Sequence, residues 1–195
     1  ERSLNRDIKL MNDANCFALS EAIDGSGANY QSVWGIIIGS GFGGSFVYKK
    51  KVIEGINQVA GDWGHQPLPY PTQEEYELNP KCEVGNCGRP LCAEQFISGI
   101  GFTKIFNSKY GTNFRTREIV ALEANGDERA KKEFELYEDR FARLISVMIG
   151  IIDPDVIVIG GGMSNVGRIY ENIPKLLPKY TCLLYTSDAA DDMFR

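Results

Sequence analysis

The chain has 195 residues, 43% of them hydrophobic, enough for one packed domain or a domain with part of a second. A net charge of −5 excludes a nucleic-acid binder that works through a broad basic face. No apolar run reaches membrane-spanning length and Glu1-Arg2-Ser3-Leu4 is no signal peptide, so a cytoplasmic protein without a membrane partner is expected. In chain order, the pattern predicts a short strand ending at Leu10-Met11, then a helix with Cys16, Leu19, Ala22 and Ile23 on one face. A buried strand follows at Val33-Trp34-Gly35-Ile36-Ile37-Ile38, then a glycine cluster at residues 39–44, a strand through Ser45-Phe46-Val47-Tyr48, and a solvated turn at Lys49-Lys50-Lys51. From residue 53 to 91 the Gly, Pro and polar content predicts a long functional loop without regular elements. One helix is expected from Ala93 past Phe102. A second, at 127–150, follows from the spacing of Ala130, Phe134, Tyr137, Phe141, Leu144, Ile145 and Met148. Val156-Ile157-Val158-Ile159 reads as a buried strand, and Gly160-Gly161-Gly162 as the opening of a helix reaching Leu177. Residues 182–195 lack apolar periodicity and are expected to be a non-native tail.

Four motifs carry candidate chemistry. Gly39, Gly41 and Gly44 match a GxGxxG spacing, but a strand follows where a dinucleotide site needs a helix. A strand–turn–strand hairpin with Gly39, Ser40, Gly41, Gly43 and Gly44 suits a phosphate loop, since amides without side chains approach phosphate closely; turn geometry alone is the competing reading. Gly160, Gly161, Gly162 and Met163 after a strand suit nucleotide docking at a sheet's carboxyl edge, or an ordinary turn. Asp13, between a strand end and a helix start, is either a helix cap or a general base. His65 is the only histidine, and three of the five cysteines (Cys82, Cys87, Cys92) fall within eleven residues. Together these four make a complete tetrahedral zinc set, the alternative being unrelated thiols.

Taken in order from about Ile8 to Tyr180, these motifs resemble the ROK family of bacterial sugar kinases and repressors, and its fructokinases most. The resemblance implies an α/β, actin-like ATPase (ribonuclease H-like) fold: a mixed sheet with flanking helices in an incomplete two-domain sugar kinase. Residues 1–30 would be a remnant of the small domain and 31–181 the large domain. It implies Asp13 as catalytic base, with Asn12, Asp62, His65 and Glu94 contacting the sugar. Gly39, Ser40, Gly41, Gly43 and Gly44 would form a phosphate loop, and 153–164, with Gly160, Gly161, Gly162 and Met163, the adenosine side. His65, Cys82, Cys87 and Cys92 would hold a structural Zn²⁺. The implied reaction is ATP- and Mg²⁺-dependent phosphorylation of a hexose, fructose at its 6-hydroxyl, by a homodimer. Mannose, glucose or an N-acetylhexosamine as acceptor, or the sugar-sensing domain of a DNA-binding repressor, are the alternatives. The chain departs from the family pattern in several places. Asp62 stands in place of Glu, Cys82 and Cys87 are separated by four residues rather than one, and Leu91 stands in place of Gly. The N-terminal phosphate loop and final helices are expected to be missing, leaving this chain alone inactive and prone to aggregate.

Overall fold

The computed structural model describes residues 10–78 and 87–181. Cys82 and the expected non-native tail at 182–195 therefore lie outside the described residues. Helix α1 (Asp13–Ile23) precedes strands β1 (Ser32–Ile38), β2 (Phe42–Tyr48) and β3 (Lys51–Val52). Helices α2 (Gln73–Leu78), α3 (Ala93–Ile97), α4 (Gly99–Tyr110), α5 (Thr116–Ala124) and α6 (Glu128–Ile152) follow. Strand β4 (Val156–Gly160), a 3-10 turn at Gly162–Asn165, α7 (Gly167–Leu176) and a 3-10 turn at Leu177–Lys179 close the order. The strands form one sheet in the order β3-β2-β1-β4, with β1 antiparallel to β2 and parallel to β4, a mixed sheet as expected. Lys49 and Lys50 join β2 to β3 with φ of 49° and 60°, the backbone that two-residue hairpins demand.

The strand pattern has period two, and both faces are buried. Val33, Val47, Val156 and Val158 face α1, where Ala18 and Ala22 meet them. Trp34, Ile36, Ile38, Ile157 and Ile159 face the larger core, built with Phe96, Phe102, Phe134, Tyr137, Phe141 and Ile145. Six of the seven apolar α6 positions singled out by spacing are buried, and Met148 is partly buried. Asp127 caps this helix by accepting the amides of Arg129 and Ala130, and Asp153 ends it at φ 41°.

Five sequence expectations change. The expected strand ends at Leu10-Met11, which take no regular structure, with Leu10 93% exposed, and the part before residue 10 lies outside the described residues. A strand needs a paired ladder, and among the described residues none runs beside them. The buried face of α1 is Ala14, Asn15, Ala18 and Ala22, whereas Cys16 and Ile23 are exposed. Small residues let this helix lie close on the sheet, so the face is set by proximity rather than side-chain size. The 53–91 segment does contain a helix, α2, which buries the carboxylate Glu75 rather than an apolar stripe. The helix expected from Ala93 is broken at Ser98 (φ −63°, ψ 153°), whose hydroxyl accepts the Gly101 amide and caps α4. Finally, β4 extends to Gly160, and a 3-10 turn separates it from α7.

Candidate active site

Strands β1 and β4 run parallel with Ile37 opposite Gly160, so the turns that follow them emerge side by side at one sheet edge. The first turn is the three residues Gly39, Ser40 and Gly41, closed by the Gly39 N–H donating to the Gly41 carbonyl at 2.9 Å. Strand β2 begins at Phe42 rather than Ser45, so Gly43 and Gly44 are strand residues. A Cβ built at Gly39 or Gly43 would meet nothing within 4 Å, and both line the cleft described below. Side chains there would take up ligand space. At the second turn Gly161 has φ 85°, and a Cβ would lie 2.5 Å from the Ile38 carbonyl oxygen, so the two turns touch only because glycine is there.

The N-terminus of α1 reaches the same edge. A cavity of about 290 Å³ is lined by Asn12, Asp13, Gly39, Ser40, Gly41, Gly43, Gly44, Asp62, His65 and Glu94, so every expected sugar contact and the expected base share one cleft. Asn15 and Gln58 also line it: Asn15 belongs to the Asp13 motif but has no expected role there, and Gln58 belongs to no motif of obvious chemistry. Asn12 is the helix cap, its Oδ1 accepting the Ala14 amide at 2.8 Å, while Asp13 is the first helical residue and accepts the same amide. The cap and the candidate base are thus adjacent residues.

Backbone contact seats the segment carrying Asp62 and His65. A Cβ on Gly64 would fall 1.9 Å from the Phe42 carbonyl oxygen, so this chain presses directly on β2. Between them Trp63 packs on Trp34 and Phe42, with ring centroids 4.3 and 4.6 Å apart. Glu94, in the first turn of α3, is buried. Its Oε2 accepts the Phe42 amide at 3.0 Å and its Oε1 lies 4.0 Å from His65 Nδ1.

His65 Nδ1 is also 3.5 Å from Cys92 Sγ, and the donor atoms of His65, Cys87 and Cys92 lie within 4.8 Å of one another. One imidazole and two thiols at this separation fit three corners of a tetrahedral zinc site. Cys82, the fourth expected ligand, falls outside the described residues. Leu91 holds φ 53°, the left-handed backbone that glycine favours, so the turn before Cys92 keeps its shape despite the replacement.

A second cavity, about 630 Å³ and more apolar, shares Gly39 and Ser40 with the first. Gly162 and Met163 line it, as expected, but Gly160 and Gly161 stand behind, packed against Phe17 and Ile38. Its other walls are Gly99, Ile100, Thr116, Arg117, Val120, Asn165 and Val166. Thr116 and Arg117 open α5, a helix whose weak apolar pattern hid it from the sequence reading. Asp155, at the start of the expected adenosine-side motif, is remote from this cavity. It joins the other ends of β1 and β4, its carboxylate accepting the amides of Gln31 and Ser32 at 3.0 and 2.8 Å.

The fold recurs in known proteins. The solved ROK hexokinase from Thermus thermophilus superposes with a TM-score of 0.80 at 25% identity, covering 92% of this chain and 57% of that one. A ROK family transcriptional regulator homologous to the E. coli MLC protein gives 0.75 at 20% identity, covering 94% and 49%. The fold is therefore that of the actin-like ATPases, shared by kinases and regulators alike. In sequence, an N-acetyl-D-glucosamine kinase of Vibrio vulnificus (strain YJ016) is 40% identical over 184 residues, 92% of this chain and 59% of that protein. One from Escherichia coli O1:K1 is 38% identical over 177 residues, 91% and 58%. The chain thus spans about 59% of the length of the Vibrio relative. The family model matches residues 1–188, which takes in both cavities, the thiol cluster and both glycine turns: this chain belongs to the ROK family.

Proposed function

We propose that the complete protein containing this chain transfers the γ-phosphoryl group of ATP to the 6-hydroxyl of a hexose. One observation carries the reading: a polar cavity holding Asp13 and an apolar cavity suited to a nucleoside meet at a single glycine turn, Gly39-Ser40-Gly41. Phosphoryl transfer needs an acceptor hydroxyl and a terminal phosphate brought in line at such a junction. The nucleoside occupies the larger cavity, against Met163 and the α5 start, and the phosphates reach over the turn. A sugar sensor needs the first cavity and has no use for the second.

In the polar cavity Asn12, Asp62, His65 and Glu94 hold sugar hydroxyls. Asp13 accepts the proton of the attacking hydroxyl as the oxygen–phosphorus bond forms and the bond to the ADP oxygen breaks. Amides of the glycine turn donate to phosphate oxygens as charge shifts toward ADP. Mg²⁺ bound with the nucleotide supplies further neutralisation of that charge. The thiols of Cys87 and Cys92, with His65 Nδ1 and Cys82, hold a structural zinc that orients the imidazole, leaving Nε2 for the sugar.

The resemblance to fructokinases made fructose the expected acceptor. The relatives named above, both N-acetyl-D-glucosamine kinases, instead support an N-acetylhexosamine. A coupled ADP-release assay on the complete protein, run against fructose, mannose, glucose and N-acetyl-D-glucosamine, tests both levels. Turnover with none of them removes the kinase reading. A kcat/KM for fructose above that for N-acetyl-D-glucosamine restores the first acceptor.

A further inference from the structure

The Glu94 carboxylate reaches both parts of the cleft. Its Oε2 accepts the amide of Phe42, the residue directly after the Gly39-Ser40-Gly41 turn, in a buried bond of 3.0 Å. A Cβ on Gly41 would sit 3.1 Å from the same oxygen, so the carboxylate lies against the turn itself. Its Oε1 is buried, lacks a hydrogen-bond partner among the described residues, and belongs to a side chain that lines the polar cavity. The other end of the turn is fastened to the same stretch of chain, where the Gly99 amide donates to the Gly39 carbonyl at 2.8 Å. All five residues of α3, which carries the first anchor and leads to the second, are buried, so this stretch cannot shift without disturbing the core. A carboxylate is planar. Whatever orients Oε1 therefore also sets the direction in which Oε2 receives the Phe42 amide.

We propose that Glu94 is a positioning residue that couples the two cavities, a hexose hydroxyl donating to Oε1 aligning the Oε2 anchor and so setting the glycine turn for the phosphates of the nucleotide. The inference rests on the kinase reading above and adds that acceptor and nucleotide tighten each other's binding. By thermodynamic linkage the factor is the same in both directions. Oε1 has His65 Nδ1 at 4.0 Å but accepts no hydrogen bond among the described residues, and a buried oxygen in that state costs free energy until it is bonded, which gives the sugar hydroxyl a reason to choose it.

The test is calorimetric, on the complete protein, with the non-hydrolysable ATP analogue AMPPNP titrated in the presence and absence of saturating N-acetyl-D-glucosamine, or of the hexose that the panel puts in its place. In the unmodified protein the sugar should tighten AMPPNP roughly tenfold, within the usual range of such couplings. Two conservative variants separate the oxygens. Glu94→Gln retains an amide oxygen for Phe42, so AMPPNP binding without sugar should stay within about twofold while sugar affinity falls. Glu94→Asp is one methylene too short to reach Phe42, and its AMPPNP affinity without sugar should fall about tenfold, the loss expected when a buried amide is left unpaired. Equal AMPPNP affinities in Glu94→Asp and the unmodified protein, equal losses in both variants, or no effect of sugar on AMPPNP in the unmodified protein would each overturn the coupling. Absence of any AMPPNP binding to the unmodified protein would instead remove the kinase reading on which it stands.

Discussion

Asp13 illustrates how a single position is left available for a chemical task. Had it been the cap of α1, its carboxylate would have been committed to closing the helix. Asn12 takes that part, and Asp13 stands one residue on, one carboxylate oxygen sharing the Ala14 amide while the side chain lines the cleft. In the complete protein, Asp13→Asn should lower kcat by about 10²–10⁴-fold, the usual worth of a general base, with little change in sugar affinity. Single-turnover kinetics beside a sugar titration measures both quantities, and near-normal turnover would take Asp13 out of the base role. Leu91 shows a different compromise. Its left-handed backbone costs about 1–2 kcal/mol in a residue with a Cβ. Its side chain is only 8% exposed and joins the main core, which is worth about as much or more. Apolar burial thus offsets the strain, and the turn leading to Cys92 survives without glycine.

The segment between β3 and α3 holds together by charge where apolar residues are scarce. Glu75 of α2 is almost fully buried between Arg140 and Arg143 of α6, at 2.9 and 2.6 Å. Arg143 also donates to the carbonyls of Pro69 and Tyr70, and Arg140 reaches Glu133. This network pins the middle of the segment to the longest helix, downstream of Asp62 and His65. Burial by itself would raise the Glu75 pKa, but hydrogen bonds from Arg143, the Thr72 amide and Arg140 outweigh it and hold the group below its ordinary value of 4.5. A depressed carboxylate pKa stabilises the fold above the unfolded value, and that contribution is lost as pH falls through the folded one. Thermal midpoints should therefore drop as pH is lowered below about 4.5, and Glu75→Gln should flatten that part of the profile. At neutral pH the same variant leaves buried arginines short of a partner, and denaturant titration should register a loss of about 3–5 kcal/mol. An unchanged midpoint would show the network to be energetically idle.

At the scale of the molecule, the cleft exists because separate stretches converge on one sheet edge: the α1 start, each of the two glycine turns, and the residues Asp62, His65 and Glu94. Between Asp62 and Glu94 the sequence is rich in Gly, Pro and polar residues, which is where a metal contributes most. Metal analysis of the purified complete protein should return about one zinc per chain. Stripping it with a chelator should lower the thermal midpoint by several degrees, since a structural zinc contributes folding free energy directly. Protein that carries no zinc and melts unchanged after chelation would leave Cys87 and Cys92 without that function.

Sequence alone determined what is local or periodic: the buried strands β1 and β4, the long amphipathic α6, the hairpin around the glycine cluster, and the residue types able to bind phosphate, sugar and metal. Alternation and helical spacing survive any tertiary context that buries them, so they can be read directly. Helices α2 and α5 were not legible, because α2 is held by ion pairs with distant arginines and α5 buries only Ile119. The buried face of α1 was likewise decided by the sheet beneath it. Tertiary structure alone placed Thr116, Arg117 and Asn165 in the second cavity, joined Asp155 to the start of β1, and put Glu94 behind the turn. Those outcomes depend on where non-neighbouring segments meet, and no spacing along the chain encodes a distance between them.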